Sequence, residues 1–236
     1  MYSVIIPTMW KFEPFVKFLG DLVDVPTVGQ IVIINNAIGD TPTNDILNHD
    51  KITLVNLPKN IYVNPAWNLG VEKSIFNKVC ILNDDLVFDT KIFSKLFNIL
   101  NNDFGGVIGL CGNEPKLDQP VFTDGTIDLI KCTTPYNHKI HFGFGMLMFL
   151  NKKHWTPIID GLDIYWGDNF IYDTMYYKSN NNYMISNMFY HTPFNTTAST
   201  ISNQSEMYAN EHMVYNRDMP FIINQIWMNN RHLTGL

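Results

Sequence analysis

The stretch Val79-Cys80-Ile81-Leu82-Asn83-Asp84-Asp85-Leu86-Val87-Phe88-Asp89 decides how the chain is read. An apolar run leads straight into an Asn and two adjacent carboxylates, and apolar residues resume before Asp89. A short unbroken apolar run is what a strand buried on both faces requires, and Lys78 before it marks a surface entry. Asp84 and Asp85 then fall at the carboxyl end of that strand, where open α/β sheets bind their ligands. Oxygen donors on one turn suit Mg2+ or Mn2+, hard cations held by one or two carboxylates plus substrate phosphates. The same acids also suit the cap of a helix expected from about residue 90 to residue 101. Taken alone, the stretch leaves both readings open.

Working outward, the same pattern recurs upstream. Tyr2-Ser3-Val4-Ile5-Ile6-Pro7-Thr8 is a β-branched run, followed by a helix pattern carrying Phe15, Phe18, Leu19 and Leu22. Gln30-Ile31-Val32-Ile33-Ile34-Asn35-Asn36-Ala37 and Lys51-Ile52-Thr53-Leu54-Val55-Asn56-Leu57-Pro58 read as two further strands with polar ends. The second leads through Asn60 and Asn64 into a helix containing Trp67, Leu69, Val71 and Ile75. Strands alternating with helices predict right-handed crossovers and a parallel sheet covered on both faces, with the polar strand ends along one rim.

Past a strand at 106–110 the alternation stops. Asp124-Gly125 between two short apolar runs is a hairpin signal, so this part is expected to be antiparallel. In His141-Phe142-Gly143-Phe144-Gly145-Met146, the spaced glycines either let a ligand approach the backbone or make a tight turn into the apolar strand that follows. In Trp166-Gly167-Asp168, Gly167 makes a turn and Asp168 stands where a helix begins, as a cap or as a carboxylate presented to a ligand. Residues 184–191 read as one strand ending in His191. A polar loop and two helical stretches, around 206–216 and 220–230, complete the chain.

Composition sets the outer limits. A chain of 236 residues suits a single α/β domain, and 46% hydrophobic with 16% charged residues is ordinary for a globular protein. The 14% aromatic content suggests ring-lined clefts as well as core. A net charge of −6 argues against gripping a nucleic-acid backbone, which needs clustered Lys and Arg. Cys80, Cys111 and Cys132 show no C-x-x-C spacing and read as reduced thiols, which fits a cytoplasmic location. Neither a signal-peptide pattern nor a run long enough to span a membrane is expected.

Several of these segments, in this order, resemble the metal-dependent GT-A glycosyltransferases, in particular the inverting family 2. Ile5-Ile6-Pro7-Thr8 is similar to that family's opening strand, and Ile33-Ile34-Asn35-Asn36 to the second, whose end helps hold the nucleotide. Asn60 through Asn64 to Asn68-Leu69-Gly70 resembles its donor-binding loop and helix. Leu82-Asn83-Asp84-Asp85 resembles the D-x-D motif, here in an N-x-D form. Gly143-Phe144-Gly145-Met146 resembles the acceptor segment, and Trp166-Gly167-Asp168 the segment that supplies the catalytic base, although Gly167 precedes Asp168 without an intervening Glu.

The resemblance implies a GT-A (Rossmann-like) α/β fold: a mostly parallel central sheet flanked by helices, a smaller antiparallel part and a helical C-terminus. It implies a nucleotide-sugar-binding part over about 1–110 and an acceptor-binding part over about 111–236. Pro7, Thr8, Asn35, Asn36, Asn60, Asn64, Asn68, Asn83 and Asp84 would contact a UDP- or GDP-sugar. Gly145, Met146, Trp166 and Gly167 would meet a saccharide or other hydroxyl acceptor. Asp85 and His191 would hold Mn2+ or Mg2+, and Asp168 would be the base, with Glu114, Asp118 and Asp173 as substitutes.

The chemistry agrees with these assignments. A nucleotide-sugar leaves negative charge on its pyrophosphate while the sugar becomes oxocarbenium-like, so a cation near Asp85 and a base near the acceptor hydroxyl are what the reaction needs. Two rival classes stay open. A sugar nucleotidyltransferase usually carries a Gly-rich phosphate loop after the first strand, and Pro7-Thr8-Met9-Trp10-Lys11-Phe12 has no glycine. A noncatalytic sugar-binding module would keep the aromatics and have no use for a base.

Overall fold

The structure, a computed structural model, describes residues 1–39, 41–111, 126–188, 190–192 and 202–234, with the side chains of residues 191 and 230–234 outside the described set. The Asp124-Gly125 hairpin, Glu114 and Asp118 lie outside the described residues. Strands β1 (Tyr2–Thr8), β2 (Val28–Asn35), β3 (Ile52–Asn56) and β4 (Lys78–Leu82) pair in parallel in the order β3-β2-β1-β4. Helix α1 (Pro14–Val23) joins β1 to β2, and α2 (Val63–Lys73) joins β3 to β4. Pro14 opens α1, where its missing N–H costs nothing.

The alternation of side chains explains the unbroken apolar runs. Val4 and Ile6 of β1, Ile31 and Ile33 of β2, and Cys80 and Leu82 of β4 enter one core with α1 and with α3 (Ile92–Leu96). Their neighbours Ile5, Val32, Ile34, Val79 and Ile81 enter a second core with α2 and with α4 (Gly167–Ser179). The sheet is thus sandwiched between two helical layers. Burying each such side chain stabilises the fold by roughly 1.5–3 kcal/mol, which is why both faces of the strands are apolar.

Beyond β4 the sheet continues through strands from the second half of the chain. β8 (Leu147–Asn151) lies antiparallel between β4 and β6 (Val107–Leu110), and β9 (Tyr183–Ile185) and β7 (Leu129–Lys131) complete the order β3-β2-β1-β4-β8-β6-β9-β7. Because Leu147 pairs with Leu82, the start of β8 sits at the carboxyl end of β4. That reversal brings the 143–146 turn to the acidic residues.

Three expectations are corrected. The helix expected over 90–101 is the single short α3, followed by turns. The strand expected over 184–191 divides: β9 joins the main sheet, while β10 (Tyr190–His191) pairs with β5 (Val87–Phe88) as a separate ribbon. Asn187 marks the departure, its side chain accepting from the Asp128 N–H at 2.9 Å. The two C-terminal helical stretches are one helix, α5 (Gln204–Thr234), with Pro220 inside it. Pro220 is exposed, as is Asn216 one turn earlier, so the carbonyl that loses its intrahelical partner there is open to water.

The ends of β1 to β3 are tied by Asn35, which is 2% exposed. Its Oδ1 accepts from Trp10 Nε1 at 2.9 Å and from the Ala37 N–H at 3.0 Å, and its Nδ2 donates to Thr41 Oγ1 at 2.7 Å and Asn56 Oδ1 at 2.8 Å. Truncation would leave two donors without an acceptor. Asn35→Ala should lower stability by about 2–3 kcal/mol in urea unfolding, and a loss under about 0.5 kcal/mol would contradict this role.

Candidate active site

The cleft opens at the carboxyl ends of the parallel strands and has a volume of about 240 Å3. Pro7, Thr8 and Met9 reach it from the end of β1, and Asn36 from the end of β2. Asn60, Tyr62, Val63 and Trp67 contribute from the loop and first turns that form α2. Asn83, Asp84 and Asp85 stand at the end of β4, and Gly145, Met146 and Asp168 close the far wall.

The two adjacent acids differ in role. Asp84 is buried and accepts from Thr8 Oγ1 at 2.6 Å, linking the ends of β1 and β4. Burial, reinforced by the charge of Asp85, pushes the Asp84 carboxyl up to about 6 against the Thr8 hydroxyl bond. Asp85 also lines the cleft and is only partly buried, so it is the more accessible of the two carboxylates. Asn83 donates its N–H to the Met146 carbonyl at 3.1 Å, which seals the 143–146 turn against the acidic strand end.

On the far wall, Asp168 lies in the first turn of α4 and rests directly on Gly145. A Cβ at Gly145 would stand 2.5 Å from Asp168 Cβ and 2.8 Å from its Oδ2, so the carboxylate can occupy this position only over a glycine. Burial raises the proton affinity of Asp168, and the backbone N–H groups of Asn169 and Asp168 itself, His138 and the Tyr136 hydroxyl act against it. Asp168 is partly exposed, and its carboxyl sits above the usual carboxylate range.

The remaining sequence-predicted residues divide between the cleft and the interior of the fold. Asn36 is 4% exposed, accepts from the Ile61 N–H at 3.2 Å and donates to the Tyr62 carbonyl at 3.2 Å while lining the cleft. Asn60 accepts from the Tyr62 N–H at 2.7 Å and also lines it. Asn35, Asn64, Asn68, Trp166 and Gly167 do not line it. The four bonds of Asn35 are internal, and Asn68 is clamped to the backbone of Ile158 by bonds of 2.8 and 2.9 Å. Asn64 is wholly buried, donates to the Tyr165 carbonyl at 3.0 Å, and occupies the space any side chain at Gly167 would need. The side chain of His191 is outside the described set, but its backbone pairs with Val87, two residues beyond Asp85.

Sequence reasoning missed the part played by α5. Glu211, 4% exposed, reaches the loop before Asp168 and accepts from the N–H groups of Ile164 at 3.1 Å and Tyr165 at 2.7 Å. Beside it, Tyr208, His212 and Tyr215 pack their rings on Trp166, a spacing of four and three residues that puts them on one helical face. That spacing was the available signal.

Among the described residues, no group of three or more His, Cys, Asp and Glu side chains stands together as a metal cage. The residues that are present fit a cation of a different kind. Of the two adjacent carboxylates, Asp84 is raised mainly by burial and further by the charge of Asp85, a repulsion that a divalent ion would relieve, and Mg2+ or Mn2+ bound through one or two carboxylates takes its other ligands from water and phosphate.

Glu211 also supplies a pH dependence. Burial pushes its carboxyl up to about 7, above an unfolded value of about 4.3, so the folded state holds the proton more tightly than the unfolded state. Stability should therefore fall as pH rises from about 4.5 through 7, and Glu211→Gln should remove about 1–2 kcal/mol of that fall. Urea unfolding of both proteins at pH 5 and pH 8 measures it; equal pH slopes would contradict the assignment.

No protein-family model matches the sequence, and no curated protein matches it. Solved structures do. S. aureus TarS 1-349 superposes with a TM-score of 0.57 at 14% identity, covering 92% of this chain and 72% of that one. TarS 1-349 in complex with UDP gives 0.55 at 13% identity over 80% and 59%, and the complex with UDP-GlcNAc gives 0.54 at 15% over 88% and 63%. Against the longer TarS structure the chain spans 36% of the length. At such identities the likeness is one of fold, and the fold is the GT-A type.

Proposed function

We propose that the chain is a glycosyltransferase that moves a sugar from a UDP-linked donor to an acceptor hydroxyl with inversion at the anomeric carbon. The observation that carries this reading is that Asp85, at the end of a parallel strand, and Asp168, seated on Gly145, line one cleft. The choice of donor is supported by the UDP and UDP-GlcNAc complexes of TarS, whose fold this chain shares.

In this reading Pro7, Thr8, Asn36 and Asn60 surround the nucleotide. Asp85, backed by Asp84, would hold Mg2+ or Mn2+, with His191 as a further ligand from the neighbouring strand. When bound, such a cation stabilises the negative charge that builds on the departing diphosphate. The acceptor oxygen forms its bond to the anomeric carbon as the bond to the diphosphate oxygen breaks, and its proton passes to the Asp168 carboxylate. A base whose proton affinity is raised by burial takes that proton more readily than a surface carboxylate would. A cytoplasmic setting agrees with Cys80, Cys111 and Cys132 being buried free thiols.

The test is UDP release from a panel of UDP-sugars with Mn2+, with and without candidate saccharide acceptors. Asp168→Asn should lose about 10²-fold or more of turnover and keep UDP affinity, since it removes basicity and little volume. Asp85→Asn should instead lose the Mn2+-dependent part of UDP affinity in calorimetry. Turnover of Asp168→Asn near the parent's, a product of retained anomeric configuration, or pyrophosphate release from UTP and a sugar phosphate would each overturn the proposal.

A further inference from the structure

A second cavity, of about 430 Å3, lies between the cleft and α5. It shares Gly143, Ile164 and Asp168 with the cleft, so the two spaces meet at the carboxylate. Its walls are largely rings: Tyr136, Phe142, Tyr165, Trp166, Tyr208 and Tyr215. Phe142 and Tyr208 are each 47% exposed, which leaves large ring surface uncovered beside the cavity. Trp166 adopts φ 62° and ψ 0°, a conformation costly for a bulky residue, and is held there by the stacked ring of His212 at 4.4 Å.

The polar groups in the described lining carry no fixed positive charge. The described lining carries the carboxylates of Asp168 and Asp173, the amide of Asn169, the His138 imidazole and tyrosine hydroxyls, and neither lysine nor arginine is among these residues. Asp173 is buried, accepting from the Tyr215 hydroxyl and from the Tyr136 N–H at 2.7 Å. We infer that this cavity receives the acceptor and that the acceptor is an uncharged saccharide. The inference rests on the transferase reading only for the word acceptor; the ligand class follows from the walls.

Three arguments lead to that class. The C–H faces of a sugar ring pack on aromatic faces while its hydroxyls hydrogen-bond to carboxylate, amide and phenol, and this cavity offers both kinds of surface. A purely apolar ligand would strip water from the Asn169 amide and the partly exposed Asp168 carboxylate without replacing the hydrogen bonds it removes, which costs more than the rings return. A phosphorylated or carboxylated ligand would enter beside two carboxylates with neither lysine nor arginine in the described lining and a single imidazole, His138, to receive it, in a chain whose net charge is already −6.

The test uses immobilised neutral disaccharides (cellobiose, lactose and chitobiose) and their 6-phosphate or uronic acid counterparts, probed with the purified chain with and without UDP. At least one neutral sugar should bind, with its anionic counterpart at least tenfold weaker. Tyr208→Ala should weaken neutral binding about tenfold, in line with the loss of one ring face, and Tyr208→Lys should narrow the gap between neutral and anionic sugars. A preference for the anionic sugars, no sugar bound, or neutral binding unaffected by Tyr208→Ala would overturn the inference. UDP titration reads the donor site separately. UDP binding without neutral-sugar binding overturns this inference alone, whereas sugar binding without UDP binding overturns the transferase reading and leaves this one standing.

Discussion

The site depends on a buried amide. Asn64, fully enclosed at the start of α2, donates its backbone N–H to the Asp163 carbonyl at 2.9 Å and its side-chain amide to the Tyr165 carbonyl at 3.0 Å. Its side chain also fills the space against Gly167, so the loop can close only because residue 167 has no Cβ. Asp168 follows directly. From the opposite side Glu211 accepts the N–H groups of Ile164 and Tyr165, so the segment that carries the carboxylate is gripped by an early helix and a late one. A carboxylate held this way has its position fixed before any ligand arrives, which is the preorganisation that the proposed reading requires.

The parallel half of the fold was legible because burial on both faces leaves a mark in the sequence. The runs at 4–6, 31–34 and 79–82 are apolar and buried at every position, whereas the edge strand β3 is only half-buried; each emerged as a strand of the parallel block. Strand direction leaves no such mark. Nothing in Leu147-Met148-Phe149-Leu150 states that it runs antiparallel between β4 and β6, although that reversal brings Gly145 to the acidic strand end. The division of 184–191 into two strands depends on the partners β6, β7 and β5, and the continuity of α5 through Pro220 depends on water reaching an exposed carbonyl; both are tertiary facts.

The polar residues at the strand ends show the same limit. By composition Asn35, Asn36 and Asn68 look alike, yet Asn35 and Asn68 make only internal bonds in the structure while Asn36 also lines the cleft. Asp84 and Asp85 divide likewise: both line the cleft, but Asp84 is buried and turned onto Thr8 while Asp85 is only partly buried. An amide or a carboxylate at a strand end serves the fold or the ligand according to which neighbours reach it first. The rings of α5 were readable in principle from the spacing of Tyr208, His212 and Tyr215, but only the fold supplies Trp166 as the surface they cover.

The proposed reading places the nucleotide in the strand-end cleft and on no other surface of the molecule. Backbone amide spectra of the isotope-labelled chain titrated with UDP and Mg2+ test it most directly. Shifts should be confined to residues around Thr8, Asn36, Asn60–Val63 and Asn83–Asp85, with the acidic surface depression at Asp21, Asp24 and Asp89 unmoved. Shifts centred on that depression, or none at millimolar UDP, would contradict it.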